Sequence, residues 1–522
     1  MRVTNNMMLS KTTGNINSNK ESVSYLNNQM SSQKKIDRPS EDPVIAIRAL
    51  RLRSSLSEIN QYYDNNIPDA ESWLNTTETA IKNMKNILTD IRTQCVNGAN
   101  DSLTADDRNT ILKQLQALRE QVYSEGNADY AGRTVFTGYR TNSNLTFMTD
   151  EDETTYTIDQ TIDYRSIQEN RYYTGQVTVP TSAAGIGTGA TTNPTEAVFD
   201  RIRLPYSDIT GGIKGKDNAG NEKLYSTNGD TFKMSYTANG ATTPTDFAVT
   251  LYDTMDDWAQ GAGGTHTVDA NKAVFIKETG ELILGKNLSS KMKDDYATID
   301  MTYQKTGFDK GELRPEYYFN CTYRKNPTAT DTVEYKKYDD NGKEIAQDIN
   351  YIVAAGQTLT VNMNGSDVFD ASIGRDVDEL VNAVQAAIDA NNKVSTIEDM
   401  MKEEQYAGFK DELQSWLDAA KKEADYADDN MQKLYNTYIG NFDGYLKQVN
   451  LAYTTIGSKG TRLDLTKNRV ENQQTTIEEL KSSNEDKELS DVIIDYTAAY
   501  NAYDASLQAA SYLNKTSLLN YL

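Results

Sequence analysis

Leu489, Ile493, Tyr496, Tyr500, Tyr503, Leu507 and Ala510 follow one another at alternating steps of four and three, and Leu513 continues the series. Such a narrow stripe is the seam of a left-handed helical supercoil, and it demands a partner helix. The first residues carry the same spacing in Leu9, Ile16, Val23, Leu26 and Met30, with Thr12, Asn19 and Gln33 as polar members. Chain ends are ordinarily frayed and dispensable. Two ends that both carry seams imply a chain made to assemble.

Composition narrows the partners. The 522 residues suffice for several domains, so core burial is not limiting. Lys plus Arg number 53 against 76 Asp plus Glu, a net charge of -23. Such a surface repels phosphate backbones and anionic lipid, so neither nucleic acid nor membrane is an expected partner. No run of about eighteen apolar residues is present to span a bilayer. Met1 to Asn6 lack the apolar core of a cleaved secretory signal, which leaves the cytosol or an export route that reads no such signal.

Cys95 falls on a helical pattern and Cys321 in a tyrosine-rich, strand-like run, so neither a disulfide framework nor a cysteine-rich zinc site is built here. His266, the single histidine, sits in a glycine-rich run and is expected to be solvent-exposed. One histidine excludes a His-Glu-x-x-His zinc site and most catalytic triads. No cofactor is expected.

From Asp42 a long helical pattern begins, with Asp42 as cap and Pro43 where a missing N–H costs nothing. Its stripe runs Ile45, Ala49, Leu52, Leu56, Ile59, Tyr63, Asn66, Ala70, Trp73, Thr77, Ala80, Met84, Ile87, Ile91, and Pro68 is expected to kink or split it. Thr104 caps a second helix that buries Ile111, Leu115, Leu118 and Val122 and stops near Gly126. Between about residues 140 and 376 short alternating runs take over. Ala273–Ile276 and Glu281–Leu284 read as a hairpin, and Asn239-Gly240, Asn341-Gly342 and Asn364-Gly365 as primed turns. Helical periodicity returns over Val377 to Ala390 and Glu404 to Ala427. It continues in a stripe of Met431, Tyr435, Tyr438, Phe442, Tyr445 and Val449. A break at Gly457-Ser458-Lys459-Gly460 is expected before Leu463, Val470, Ile477 and Leu480, and a final helix starts near Asp486.

The expected fold class is α+β. N- and C-terminal helices pair into a coiled-coil or helical-bundle rod, with a β-rich insertion between them and both termini at one end. Residues 1–41 with 485–522 form a terminal assembly domain, 42–140 with 400–484 a helical rod, and 141–399 the β-rich part. The competing arrangement, two independent bundles flanking a β domain, leaves tails around Ile16 and Tyr503 with too little apolar area.

Four segments carry a family resemblance. Arg38-Pro39-Ser40-Glu41-Asp42-Pro43 resembles the Arg-Pro-Ser-Asp-Asp-Pro signature of the flagellar hook–filament junction proteins, within the flagellin superfamily. Gly132-Arg133-Thr134-Val135-Phe136-Thr137-Gly138 is similar to the family's Gly-Arg-Tyr-Leu-Phe-Ser-Gly segment. Asn484-Glu485-Asp486 is similar to the acidic turn before its terminal helix. The ending Ser517-Leu518-Leu519-Asn520-Tyr521-Leu522 resembles Ser-Leu-Leu-Asp-Phe-Leu.

The resemblance covers about residues 1–140 and 430–522. It implies a non-enzymatic structural subunit that is exported unfolded, and whose terminal segments order on assembly. It also implies a ring of neighbouring copies between a hook-side hook-associated protein and flagellin, and an export chaperone on the C-terminal helix. The location implied is the extracellular flagellum. One departure is plain: where many flagellins read Gln-Arg-Ile-Arg-Glu-Leu-Ala, part of the surface met by the innate immune receptor, only Ile91 and Arg92 agree. Asp90 reverses a charge, which argues against receptor recognition and leaves Arg92 for a rod salt bridge or an inter-subunit contact.

Two other functions compete: a filament flagellin, and, from a different class, an extracellular glycan-binding or adhesive protein acting through its middle. Enzymatic readings fail on chemistry. Gly211 to Lys216 lacks phosphate-loop spacing. Asp256-Asp257 and Asp294-Asp295 are expected by chance among so many acidic residues, and Asp339 to Gly342 suits a turn better than a calcium loop.

Overall fold

A computed structural model describes residues 5–100, 103–182, 185–186 and 193–515, without the side chains of residues 5–6 and 513–515. Among these the α-helices are α1 (Asn5–Ser32), α2 (Pro43–Asn60), α3 (Ile67–Gly98), α4 (Ala105–Gln121), α5 (Met255–Gly261), α6 (Lys286–Asp294), α7 (Ile373–Met400), α8 (Lys410–Glu485) and α9 (Leu489–Lys515). The strands are β1 (Asp129–Tyr130), β2 (Arg133–Thr134), β3 (Glu151–Asp163), β4 (Ile167–Thr174), β5 (Thr195–Arg203), β6 (Gly212–Lys216), β7 (Glu222–Tyr225) and β8 (Thr231–Thr237). They continue with β9 (Thr245–Tyr252), β10 (Ala273–Ile276), β11 (Glu281–Leu284), β12 (Thr298–Phe308), β13 (Asn320–Arg324), β14 (Val333–Tyr335), β15 (Asn350–Ala354) and β16 (Gln357–Thr360). Helical ends with a β-rich middle make the fold α+β, as the patterning predicts.

The chain divides into two compact units. The first comprises Met1–Glu71, Asn350–Leu359 and Gly460–Leu522. In it α2 packs against the last part of α8: Asn484 Nδ2 donates to the Ile45 carbonyl at 3.1 Å and Gln474 Nε2 to Asn60 Oδ1 at 3.0 Å. Along that face Leu463 and Val470 are buried and Ile477 half-buried, while Leu480 is exposed. The β15–β16 hairpin is tied in by Asn66 Nδ2 to the Ile352 carbonyl and by Gln357 to Thr466. The irregularity expected at Pro68 takes the form of a π turn over Gln61–Asn66. A proline ring collides with the carbonyl four residues back and offers no N–H, and a wider turn absorbs both. The stripe passes through it, and every position named from Ile45 to Ile91 is buried or half-buried.

The second unit comprises Ser72–Ile349 and Thr360–Lys459. Its sheet has the order β14-β13-β3-β12-β6-β8-β9-β10-β11-β5-β4, with β7 paired to β6. All pairings are antiparallel except β9–β10, which α5 connects as a crossover. The predicted hairpin is present as β10–β11, in register Ala273↔Leu284. Tyrosines fill much of the interior: Tyr156, Tyr236 and Tyr303 are fully buried, beside Phe147 and Phe275. Arg119 of α4 pairs with Asp378 of α7 at 2.6 Å, and Arg108 with Asp428 of α8 at 2.5 Å.

Three local expectations are corrected. The break at Gly457–Gly460 is absent, since α8 runs unbroken through it. Each glycine costs roughly 1 kcal/mol against alanine. Burial of Ile456 and Leu463 on either side outweighs that cost, and the Ser458 hydroxyl folds back onto the Thr454 carbonyl. The helices expected over 377–390 and 404–427 grow to α7 and to α8, separated by a 3-10 turn at Glu404–Phe409. No Asn-Gly pair forms a primed turn: Gly240 and Gly342 have positive φ without their asparagines, and Gly365 opens a 3-10 turn.

Candidate assembly surface

In the first unit α1 and α9 lie antiparallel. Lys34 bridges Asp486, and Asn19 Nδ2 donates to the Ala502 carbonyl at 3.3 Å, so residue numbers rise on one helix as they fall on the other. Asn5 and Lys515 therefore sit at the same end of this pair. On α1 the half-buried residues are Thr12, Ile16, Asn19, Val23, Leu26 and Met30, the spacing predicted, while Leu9 and Gln33 are exposed. Gln29, buried, donates to the Lys35 carbonyl at 2.7 Å, and Gln33 ends the helix at φ +56°.

The covered stripe of α9 is Val492, Tyr496, Ala499, Tyr503, Ser506 and Ala510. It shares Tyr496, Tyr503 and Ala510 with the predicted seam. The other predicted members, Leu489, Ile493, Tyr500 and Leu507, are 41–52% exposed. Two four-three stripes thus overlap on one helix. The intramolecular pair takes the one whose Ala499 and Ser506 let the backbones approach, and the bulkier stripe stays outside it. A search weighted by apolar size passes over Ala499 and Ser506; their own four-three spacing is the signal that locates them. The side chain of Leu513, and Leu518 and Leu519 altogether, lie outside the described residues.

A polar clasp closes the open end of this pair. Lys35 N donates to the Glu485 carbonyl at 2.8 Å and Lys487 N to that of Gln33 at 3.0 Å. Arg53 grips the Glu485 carboxylate through two bonds of 2.7 and 2.6 Å, and Lys34 pairs with Asp486. The Arg53 hydrogen bonds hold the Glu485 carboxyl below the ordinary range, and Lys34 does the same for Asp486. Both folded values are depressed, so this stabilisation is present above the ordinary carboxylate pKa and is lost as pH falls through the folded values.

The signature segments resolve into local physics. Asp42 caps α2, accepting from Val44 N at 2.9 Å and Ile45 N at 3.1 Å, with Pro43 in the first turn. Arg38 and Pro39 border a cleft of about 260 Å³ with Ala46, Ala49, Arg53 and Glu485, and Ser40 is exposed. In the second unit, β1 and β2 are joined by Ala131 at φ +52° and Gly132 at φ +75°, a true primed turn. The Arg133 guanidinium lies 5.1 Å from the Trp73 ring, and Phe136 meets Phe369 edge-on at 5.1 Å. Gly138 stands at φ +60°, where a Cβ would lie 2.1 Å from Gln347 Oε1. Arg92 forms the salt bridge expected of it as one of two alternatives, reaching Asp443 at 2.6 and 3.3 Å.

His266 corrects its expectation: it is buried, stacked on Trp258 at a 4.2 Å ring separation. A glycine-rich run reads as exposed, but the aromatic box of Trp258 and Tyr172 draws the ring inward, and burial lowers its pKa. Cys95 is buried too, its thiol pushed up to about 12. Asp257 is spent on the Thr254 capping box of α5, and Asp339 on an Asx turn to Asn341 and Lys343. Among the described residues no cluster of three or more His, Cys, Asp or Glu could hold a metal ion. No helix among them is long and apolar enough to cross a membrane.

Helical ends of this kind have known counterparts. Residues 3–141 match the bacterial flagellin N-terminal helical region and residues 439–522 its C-terminal helical region. Both helical ends of the chain are thus similar to those of bacterial flagellins. The chain is also similar to flagellar hook-associated protein 3 of Salmonella typhimurium, 29% identical over 150 residues. The match to hook-associated protein 3 of Escherichia coli is 31% over 151 residues, and each covers 27% of this chain and 45% of the relative. A flagellin of Clostridium tyrobutyricum is 27% identical over 122 residues, 23% of this chain and 32% of that protein. The chain thus spans a little under half the length of the hook-associated proteins it matches.

Proposed function

We propose that this protein is the hook–filament junction subunit of a bacterial flagellum, a structural and non-enzymatic component outside the cell, exported without a cleaved signal peptide. The observation that carries the reading is the doubled stripe of α9: one face meets α1, while Leu489, Ile493, Tyr500 and Leu507 remain uncovered beside it. Their occupant is the terminal helices of neighbouring copies in a ring, the hook-associated protein below and flagellin above. Leu9, Ile16, Val23, Leu26 and Met30 belong to the same surface, and Leu513, Leu518 and Leu519 extend it. Residues 1–41 with 485–522 act as the assembly domain and 42–140 with 400–484 as the rod. Residues 141–399 are the variable part. Before export a chaperone covers the exposed stripe of the C-terminal helix. Thr12 and Asn19 in the seam weaken the isolated pair while fixing its register, which suits a subunit that orders on docking.

The match to a flagellin favours one other reading, a filament subunit. Gold-labelled antibody against residues 141–399 distinguishes the two on intact flagella. A junction subunit takes label at a single band where hook meets filament; label along the filament's length identifies a flagellin instead.

A further inference from the structure

Beneath α7, at the edge of the sheet formed by β4, β5 and β11, lies a cleft of about 760 Å³, within the range of small-molecule sites. Its floor is buried and charged. Arg201, 3% exposed, reaches Glu281 at 2.5 Å and Glu379 at 2.7 Å, and Tyr172 donates to Glu281 at 3.0 Å. Its mouth is exposed and polar, lined by Asp208 from the loop after β5 and Asn382 from α7. Four lining residues keep a buried polar atom that no protein group satisfies: Arg171 Nε, Arg201 Nε, His266 Nδ1 and Thr279 Oγ1. Buried polar groups are nearly always satisfied, so such a concentration around one cleft calls for an explanation. Asp208 adds strain, holding φ +54°, an uncommon conformation for a residue with a side chain.

We infer that this cleft binds a neutral, hydroxyl-rich saccharide. The sign of the ligand follows from the charges. Arg201 is shared between Glu281 and Glu379, Arg203 between Glu379 and Asp376, and Asp378 is taken by Arg119. A charged ligand unbalances these paired floor charges, around which Arg375 is cationic and Asp208, Asp256 and Glu278 anionic. Hydroxyl groups donate to its carboxylates and accept from its guanidiniums without disturbing it. Tyr173, half-buried, gives the lining an aromatic ring, while Tyr172 is buried against Trp258 and His266. The cleft binds and does not cleave: a glycosidase needs one carboxylic acid held protonated, whereas Glu379 is ion-paired on both sides.

Calorimetry on the full chain with neutral chito-, malto- and galacto-trisaccharides tests this. Arg375 of α7 also lines the cleft, its guanidinium donating to the Thr279 carbonyl at 2.6 Å. At least one sugar is expected to bind, and Asp208→Gly and Arg375→Gln each to weaken it roughly tenfold or more, as for loss of a charge-assisted hydrogen bond. Glycine suits the backbone at position 208, so the first variant keeps its fold, checked by an unchanged melting temperature. Absence of binding by all three sugars, affinity unchanged in both variants, or tighter binding of trigalacturonate than of any neutral sugar each overturns the inference.

Discussion

Glu379→Ala is expected to lower the stability of the second unit by about 3 kcal/mol, toward the range seen when one partner of a buried ion pair is removed. Glu379 accepts from Arg201 at 2.7 Å, from Arg203 at 2.5 Å and from the Tyr438 hydroxyl at 2.5 Å, so its loss strips three buried donors at once. Glu379→Gln, which keeps shape and acceptor but not charge, is expected to cost about half as much. Burial pushes the Glu379 carboxyl up, and Arg201 and Arg203 more than reverse this, holding it well below the usual carboxylate range. Its stabilisation is therefore present above the ordinary carboxylate pKa and lost as pH falls through the folded value. The alanine variant should lose less stability than the parent over that acid window. Trp73, Trp258 and Trp416 all lie in the second unit, so tryptophan fluorescence in urea reads it alone. An unchanged midpoint in the alanine variant contradicts the account.

The second large effect falls on function and leaves the folded chain alone. Ile493 and Tyr500 are 47% and 52% exposed and belong to the stripe that α1 leaves uncovered. Ile493→Asp with Tyr500→Asp should change the stability of the free subunit by no more than about 0.5 kcal/mol, as surface substitutions do. In a cell the same pair should abolish filament retention, because each assembled copy then buries two unpaired carboxylates against a neighbour. Tyr496→Asp with Tyr503→Asp behaves differently, loosening the α1–α9 pair in the subunit itself. A swimming strain carrying the Ile493 and Tyr500 changes shows that this stripe is not the assembly surface.

These contrasts follow from what a sequence can and cannot display. Four-three alternation from Ile45 to Ile91 is long enough to identify its buried face by itself, and the positions it marks are covered throughout. The same spacing leaves α9 ambiguous, because two stripes share Tyr496 and Tyr503 and only the partner selects between them. Strand order was illegible for a related reason. Ile158 of β3 pairs with Tyr303 of β12 across a long stretch of chain, and nothing local records that choice. The glycines at 457 and 460 looked like a stop because helix propensity is local, whereas the packing of Ile456 and Leu463 is not. The cleft under α7 is not legible in the sequence because its arginines and glutamates come from four separated segments, each ordinary alone.

The central claim is tested most directly by electron microscopy of cells from which this gene has been deleted. A hook–filament junction subunit predicts complete hooks, no filaments, and flagellin monomer accumulating in the medium, all restored by the intact gene. Normal filaments on the hooks of the deletion strain contradict it.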